Sequence, residues 1–192
     1  MLSTDGRLSR SGRFAHFSNR RAPGPETPRG RAAGCATSCM SVERFTLDTN
    51  ILVYAVDARE GRKRDLAARL IGASVGLDCP LALQVVGEFY AAATTKLELG
   101  AKDAAGRAAQ LIAGFETFGY SVHAVRAALE AAPKGRFSYW DGVLLASAAE
   151  AGCTTIFSED MADGARFGSI VVANPFRRDG IAPHAKAVLG LE

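Results

Sequence analysis

Asp48 is the residue in this chain that most needs an explanation. It sits inside an apolar run, Phe45-Thr46-Leu47-Asp48-Thr49-Asn50-Ile51-Leu52-Val53-Tyr54. A carboxylate taken out of water is costly unless a hydrogen-bond network or a metal ion compensates it. Three further acids occupy comparable places. Glu88 lies in a helical stretch next to Val85 and Phe89, Asp141 follows Trp140 where a helix begins, and Asp160 comes just after a strand ending at Phe157. Clustered carboxylates repel, and without a cation at least one is driven toward protonation. Oxygen ligands of this kind select Mg²⁺ or Mn²⁺. An ion so held orients a water or hydroxide for in-line attack on a phosphodiester, and two ions about 4 Å apart hold both the attacking and the leaving oxygen.

Each acid also has a plainer reading. Ser138-x-x-Asp141 is a capping box, and an aspartate in a first helical turn favours the helix dipole. Glu88 suits the solvated edge of an amphipathic face, and Ser158-Glu159-Asp160 suits a simple cap before Met161-Ala162. Asp48 resists such treatment, and all four together, each at a strand end or helix start, point to one site. The histidines do not join them: His16, His123 and His184 are scattered along the chain. Cys35, Cys39, Cys79 and Cys153 form no CxxC pair, which argues against zinc and against a disulfide framework. There is no P-loop and no GxGxxG fingerprint, so nucleotide-dependent chemistry is not expected.

The elements that must position these acids emerge from periodicity. Val42 to Leu47 reads as a first strand, and the polar triplet Asp48-Thr49-Asn50 falls where it ends. Asp57 to Ser74 is an amphipathic helix with Leu66, Ala67, Leu70 and Ile71 on one side and Arg62, Lys63, Arg64 and Arg69 on the other. Leu77 to Leu81 is a short strand, Gln84 to Leu97 a second helix, and Lys102 to Phe118 a third, anchored by Leu111, Ile112 and Phe115 and ended by Gly119. Tyr120 to Val125 reads as a strand and Arg126 to Ala132 as a helix stopped by Pro133. Ser138 to Ala151 is the clearest helix, with Trp140, Val143, Leu144, Ser147, Ala148 and Ala151 on one stripe and Gly152 at its end. Strands at Thr154 to Phe157 and Ser169 to Val172 come next; the tail beyond Asn174-Pro175 carries little signal. Strands alternating with helices predict an α/β fold, a mostly parallel sheet with helices on both faces. Ligands of such sheets sit beyond the carboxyl ends of the strands.

The bulk composition sets the frame. The 192 residues suit one domain with a tail, nearly half are apolar, and no apolar run approaches the length of a membrane span. Residues 1 to 39 carry seven Arg against Asp5 and Glu26, a balance of +5, whereas residues 40 to 192 carry 16 basic and 18 acidic residues, a balance of −2. Basic character therefore belongs to the extension and not to the domain. Residues 1–39 have the composition of a disordered extension, with Met40 as the expected true start and 40–192 as the domain. The readings left open for the extension are a transit peptide and a basic arm on a nucleic-acid backbone. Unpaired cysteines in a core fit a reducing cytoplasm.

In order along the chain, Leu47-Asp48-Thr49-Asn50-Ile51-Leu52, Gln84-Val85-Val86-Gly87-Glu88-Phe89, Tyr139-Trp140-Asp141-Gly142-Val143-Leu144-Leu145-Ala146 and Phe157-Ser158-Glu159-Asp160-Met161 resemble the PIN-domain ribonucleases, and within them the VapC-like toxins of bacterial toxin–antitoxin pairs. Asn174-Pro175-Phe176 resembles the close of that family's domain. The resemblance covers about residues 42 to 178. It implies a three-layer α/β/α sandwich and an Mg²⁺- or Mn²⁺-dependent endoribonuclease, with Asp48, Glu88, Asp141 and Asp160 as metal-binding acids. It implies Asn50 and Ser158 as the polar neighbours that orient the acids or a water; Asp163, three residues beyond Asp160, is placed either to help or, like Glu159, to be a solvated acid. It also implies an RNA substrate, a small antitoxin that covers the site and a homodimer. Two positions depart from the family pattern: Gly142 stands where Ala is commoner, and Leu83 precedes Gln84 where a Ser or Thr cap is expected. Two other classes compete. A non-cleaving module would hold RNA or a partner on the same acids. An aspartyl-phosphate phosphatase would want an acid two residues beyond Asp48, where Asn50 stands.

Overall fold

The computed structural model describes residues 43–192. The readings made of residues 1–39, including Cys35, Cys39 and His16, lie outside the described residues. The elements begin with strand β1, Phe45–Leu47, and a one-and-a-half-turn helix α1, Thr49–Tyr54, followed by α2, Arg62–Ser74. Strand β2, Leu81–Ala82, runs straight into α3, Leu83–Thr95. Helix α4 covers Ala101–Gly114, β3 Thr117–Phe118 and α5 Val122–Ala131. Helix α6, Tyr139–Glu150, leads to β4, Thr155–Phe157. The chain closes with β5, Arg166–Phe167, β6, Ile170–Ala173, the small hairpin β7, Phe176–Arg177, and β8, Gly180–Ile181, and α7, Pro183–Leu189. Among the described residues no helix is long and apolar enough to cross a membrane.

The sheet order is β1-β4-β6-β5, parallel except for the last pair, and β2-β3 form a second parallel pair. Phe45 N–H donates to the Asp78 carbonyl at 3.1 Å, so the segment entering β2 lies on the free side of β1. From β1 the chain therefore leaves to one side, and from β4 it leaves to the other. The gap between the carboxyl ends of β1 and β4 is a topological switch point, the place where such sheets bind ligands. The α/β class with a mostly parallel sheet is as expected.

The core runs through Phe45, Leu47, Phe89, Leu145, Ile156 and Phe157, all at most 2 % exposed. Arg44 ties the layers at their edge: it ion-pairs Asp78 and Glu116 and donates from Nε to the Ala151 carbonyl at 2.8 Å. Cys79 and Cys153 are free and buried, and burial pushes their thiols up to about 12 and about 11.

Several elements differ from expectation. Tyr120 to Val125 is not a strand. The Ser121 hydroxyl accepts from Ala124 N–H at 3.0 Å and caps α5, whose buried residues, Ala124 and Ala128, keep helical and not alternating spacing. The third helix stops at Gly114; Phe115 is extended, and Thr117–Phe118, expected in that helix, pairs with β2. Ile112, expected in the helix's anchor, is 48 % exposed. Trp140 does not share the buried stripe of α6 but is 55 % exposed. Leu83 is the first residue inside α3, and the cap position is Ala82, whose methyl group makes no capping hydrogen bond. Helix α7 lies in the tail expected to be featureless.

Helix α6 is buried on nearly every side, from Gly142 to Ala148, which is the mark of a central helix. Gly142 allows a close approach: a Cβ there would stand 3.2 Å from both Cα and Cβ of Ala128 on α5, tighter than an ordinary contact. The glycine departure noted in the sequence is thus a close helix–helix approach. Gly142→Ala is expected to cost about 1 kcal/mol despite alanine's better helix propensity. The cost should shrink in an Ala128→Gly background, a coupling read by a double-mutant cycle in urea unfolding; additive costs would count against the close approach.

Candidate active site

Parallel pairing of β1 with β4 in the register Leu47↔Phe157 sets Asp48 beside Ser158, 110 residues apart in the chain. Asp48 N–H donates to the Phe157 carbonyl at 2.9 Å, the last rung of that ladder. The side chain then does two jobs. Oδ1 accepts from Thr49 N–H at 2.6 Å and caps α1, while Oδ2 accepts from Ser158 Oγ at 2.6 Å and from Asn50 Nδ2 at 3.0 Å. Ser158 also accepts from Met161 N–H at 3.3 Å, which fixes the turn carrying Asp160. Asp48, Asn50 and Ser158 are all buried.

The other acids surround this network. Glu88 is half-buried on α3. Its Oε2 accepts from Thr49 Oγ1 at 2.7 Å and its Oε1 from Gln84 Nε2 at 2.9 Å, so the residue next to Asp48 holds it in place. Gln84 Nε2 donates as well to the Trp140 carbonyl at 3.1 Å, which links α3 to the opening of α6. Asp141 lies in that first turn and forms the full capping box: its N–H donates to Ser138 Oγ at 3.1 Å and its Oδ2 accepts from Ser138 N–H at 3.2 Å. Asp160 is exposed, with the Tyr54 hydroxyl 3.5 Å from Oδ1.

The structure thus brings Asp48, Asn50, Glu88, Asp141, Ser158 and Asp160 to one edge of the sheet. It ties up the neighbouring acids elsewhere. Glu159 accepts from Lys63 Nζ at 3.0 Å through both oxygens. Asp163, left open in the sequence between a helper and a solvated acid, accepts from Asn174 N–H at 2.9 Å and pairs with Arg177 at 3.1 Å. His123, expected in a strand, is on α5 with its ring exposed against Glu150, and His184 is on α7. Thr49, Gln84 and Tyr54 are site neighbours that the sequence does not single out. Gln84 has a readable signal, since Gln84 and Glu88 are four apart on one helix face.

Burial raises the Asp48 carboxyl to about 6. The hydrogen bonds from Ser158 and Thr49 work against this, and the charges of Asp141 and Asp160 add to it. A cation near Asp48 would relieve both burial and repulsion. The donor set is all oxygen, and the Asn50 amide oxygen is buried without a partner. That chemistry fits a hard divalent ion. Among the described residues, however, no three His, Cys, Asp or Glu side chains stand close enough together to clasp one ion. The cluster is open, a form that suits an ion retaining part of its water.

Comparison with known proteins gives this geometry a family. No curated protein sequence matches the chain. Among solved structures, a toxin–antitoxin complex from Klebsiella pneumoniae is 18% identical with a TM-score of 0.50, over 68% of this chain and 97% of that one. VapBC2 from Rickettsia felis, bound to a DNA fragment from its promoter, is 15% identical with a TM-score of 0.50 over the same shares. VapC20 of Mycobacterium tuberculosis, a sarcin–ricin loop cleaving toxin, is 18% identical with a TM-score of 0.49, over 66% of this chain and 98% of that one. The first two share this chain's fold. The PIN domain family model matches residues 45–162, from the start of β1 to just past Asp160, and the chain belongs to the PIN domain family.

Proposed function

We propose that this chain is a metal-dependent endoribonuclease that hydrolyses RNA phosphodiester bonds, the toxin of a toxin–antitoxin pair. The observation that carries the reading is the buried Asp48 carboxylate at the switch point, hydrogen-bonded by Ser158 and Asn50 and faced by the charges of Asp141 and Asp160. Membership of the PIN family and a fold shared with proteins from toxin–antitoxin complexes support it.

Asp48, Glu88, Asp141 and Asp160 would hold Mg²⁺ or Mn²⁺. When bound, the ion supplies a Lewis acid for the phosphodiester and lowers the pKa of a water. The chain's own residues set the stage for it. Ser158 and Asn50 fix the orientation of Asp48, and Thr49 and Gln84 do the same for Glu88. The capping box leaves Asp141 Oδ1 free of the contacts that hold Oδ2. Asp160 is the exposed member of the four, with the Tyr54 hydroxyl 3.5 Å from its Oδ1. A cognate antitoxin and a second copy of the chain are the partners this reading carries with it.

Three measurements test it. Single-stranded and structured RNA should be cut in the presence of Mg²⁺ or Mn²⁺ and left intact with a chelator. Asp48→Asn should lower the rate at least about a hundredfold, and Ser158→Ala about ten- to a hundredfold, the usual cost of losing support around a metal ligand. Cleavage that survives chelation, or an Asp48→Asn protein at full activity, would refute the assignment.

The third concerns stability without metal. The Asp48 pKa is raised from 3.8 to about 6 on folding. Its contribution to stability is therefore complete below pH 3.8 and is lost as pH rises through about 6. At pH 7.5 the buried charge destabilises the metal-free fold by up to about 3 kcal/mol. Thermal melts in chelator should find Asp48→Asn more stable than the natural chain at pH 7.5 and no better near pH 4. Mg²⁺ should stabilise only the natural chain. An Asp48→Asn protein less stable at neutral pH would contradict this account.

A further inference from the structure

Beside Glu88 the surface opens into a cavity of about 610 Å³ lined by Leu83, Gln84, Gly87, Glu88, Tyr120 and Trp140. We propose that this cavity is a base-stacking subsite, in which Trp140 and Tyr120 receive a nucleobase of single-stranded RNA next to the bond to be cut. The proposal rests on the RNA reading above and names the form of RNA that the site accepts.

Three features carry it. First, the lining exposes flat apolar surface that a folded domain would otherwise bury: Trp140 is 55 % exposed, Tyr120 56 % and Leu83 48 %. Proteins that bind unpaired bases stack them on exposed aromatics of this kind. Second, the platform is rigidly joined to the acids. Gln84 Nε2 donates to the Trp140 carbonyl at 3.1 Å and to Glu88 Oε1 at 2.9 Å, and the residue after Trp140 is Asp141. Tyr139 packs edge-on against the indole with ring centres 5.0 Å apart. A base placed here is held at a fixed offset from the carboxylate cluster.

Third, the lining selects the occupant. Among the described residues no Lys, Arg or His lines the cavity, and its charged residue is Glu88. A phosphate would be repelled, whereas a neutral base with an amino edge can stack on the rings and donate to the carboxylate. Adenine, guanine and cytosine have such an edge; uracil has only its ring N–H. A base inside a duplex is already stacked and paired and cannot enter, so the subsite favours unpaired loops and ends. Gly87 forms part of the floor, and a Cβ built there meets nothing within 4 Å. A larger side chain at this position would fill the cavity without disturbing the helix behind it.

Trp140 is the only tryptophan in the chain, so its fluorescence reports on the subsite directly. The experiment titrates the full-length Asp48→Asn protein, in Mg²⁺, with a short single-stranded RNA and with the same sequence as a duplex. Binding is followed separately by anisotropy of a labelled strand. The single strand is expected to quench Trp140 emission about twofold or more at saturation, and the duplex to leave it unchanged. Trp140→Ala and Gly87→Leu should weaken single-strand binding about ten- to a hundredfold, and Trp140→Phe should retain it within about threefold. Thermal melts establish that each variant is folded. Binding by anisotropy with no change at Trp140, or unchanged affinity in Trp140→Ala, overturns the subsite and leaves the nuclease reading standing. Failure of any RNA to bind overturns the subsite; the nuclease reading is judged separately, by cleavage with the natural chain in Mg²⁺. Emission that shifts to the blue with protein concentration, together with a dimer in gel filtration, assigns the surface to a second copy of the chain and overturns the proposal.

Discussion

A carboxylate at the end of a buried strand must be hydrogen-bonded, paired with a cation or protonated, and the arrangement around Asp48 is a response to that constraint. Its neighbours satisfy the hydrogen-bonding half. The Thr49 amide, the Ser158 hydroxyl and the Asn50 amide all donate to it. The charge half is left open and even worsened, because Asp141 and Asp160 face the same group. A site meant only for stability would have placed an arginine or lysine there. The nearby cations go elsewhere: Lys63 to Glu159, Arg59 to Asp57 and Arg177 to Asp163. Each of those pairs keeps a cation engaged with an acid outside the cluster. Among the described residues, the fold therefore sets aside four acids without a protein cation and pairs others around them, which is the pattern expected where a ligand supplies the positive charge.

Sheet topology explains why residues so distant in sequence can share this burden. The chain leaves β1 toward one edge and β4 toward the other, so no connection covers the gap between their carboxyl ends. Asp48 and Ser158 are the residues that step off those two strands. Glu88 and Asp141 arrive from helices that start at the same edge, α3 running on directly from β2 and α6 capped by Ser138.

This much is legible in the sequence because the signals are strong and local. An aspartate within an apolar run, a Ser-x-x-Asp box before a long apolar helix and a glycine after it each have one dominant physical meaning. The illegible parts lack such a signal. Helix α1 is only six residues, and Ile51-Leu52-Val53-Tyr54 is strand-like in composition; the Asp48 cap and packing on α2 and α3 decide for helix. β2 and β3 are two residues each and exist only because they pair, so no periodicity announces them. α6 is buried nearly all round and has no polar face to contrast with a stripe, which is why spacing alone puts Trp140 on the wrong side. Thr49 and Gln84 act through contacts with residues far along the chain, or in Gln84's case partly so, and single-residue chemistry gives them no distinction.

The capping contacts of Asp48 and Asp141 leave room for the chemical reading beside the plain one. Asp48 caps α1, and Asp141 completes the box that opens α6. In each case the capping contact fixes the backbone and the side-chain torsions, so that little conformational freedom remains to be lost when a ligand binds. A helix start also lowers the cost of holding a negative charge. One carboxylate can thus divide its two oxygens: at Asp141, Oδ2 serves the helix while Oδ1 stays outside the box. An acid needed only as a cap could equally be Ser, Thr or Asn, and Asp48 sits where burial most penalises the charged choice. The helix alone therefore does not account for an aspartate at that position.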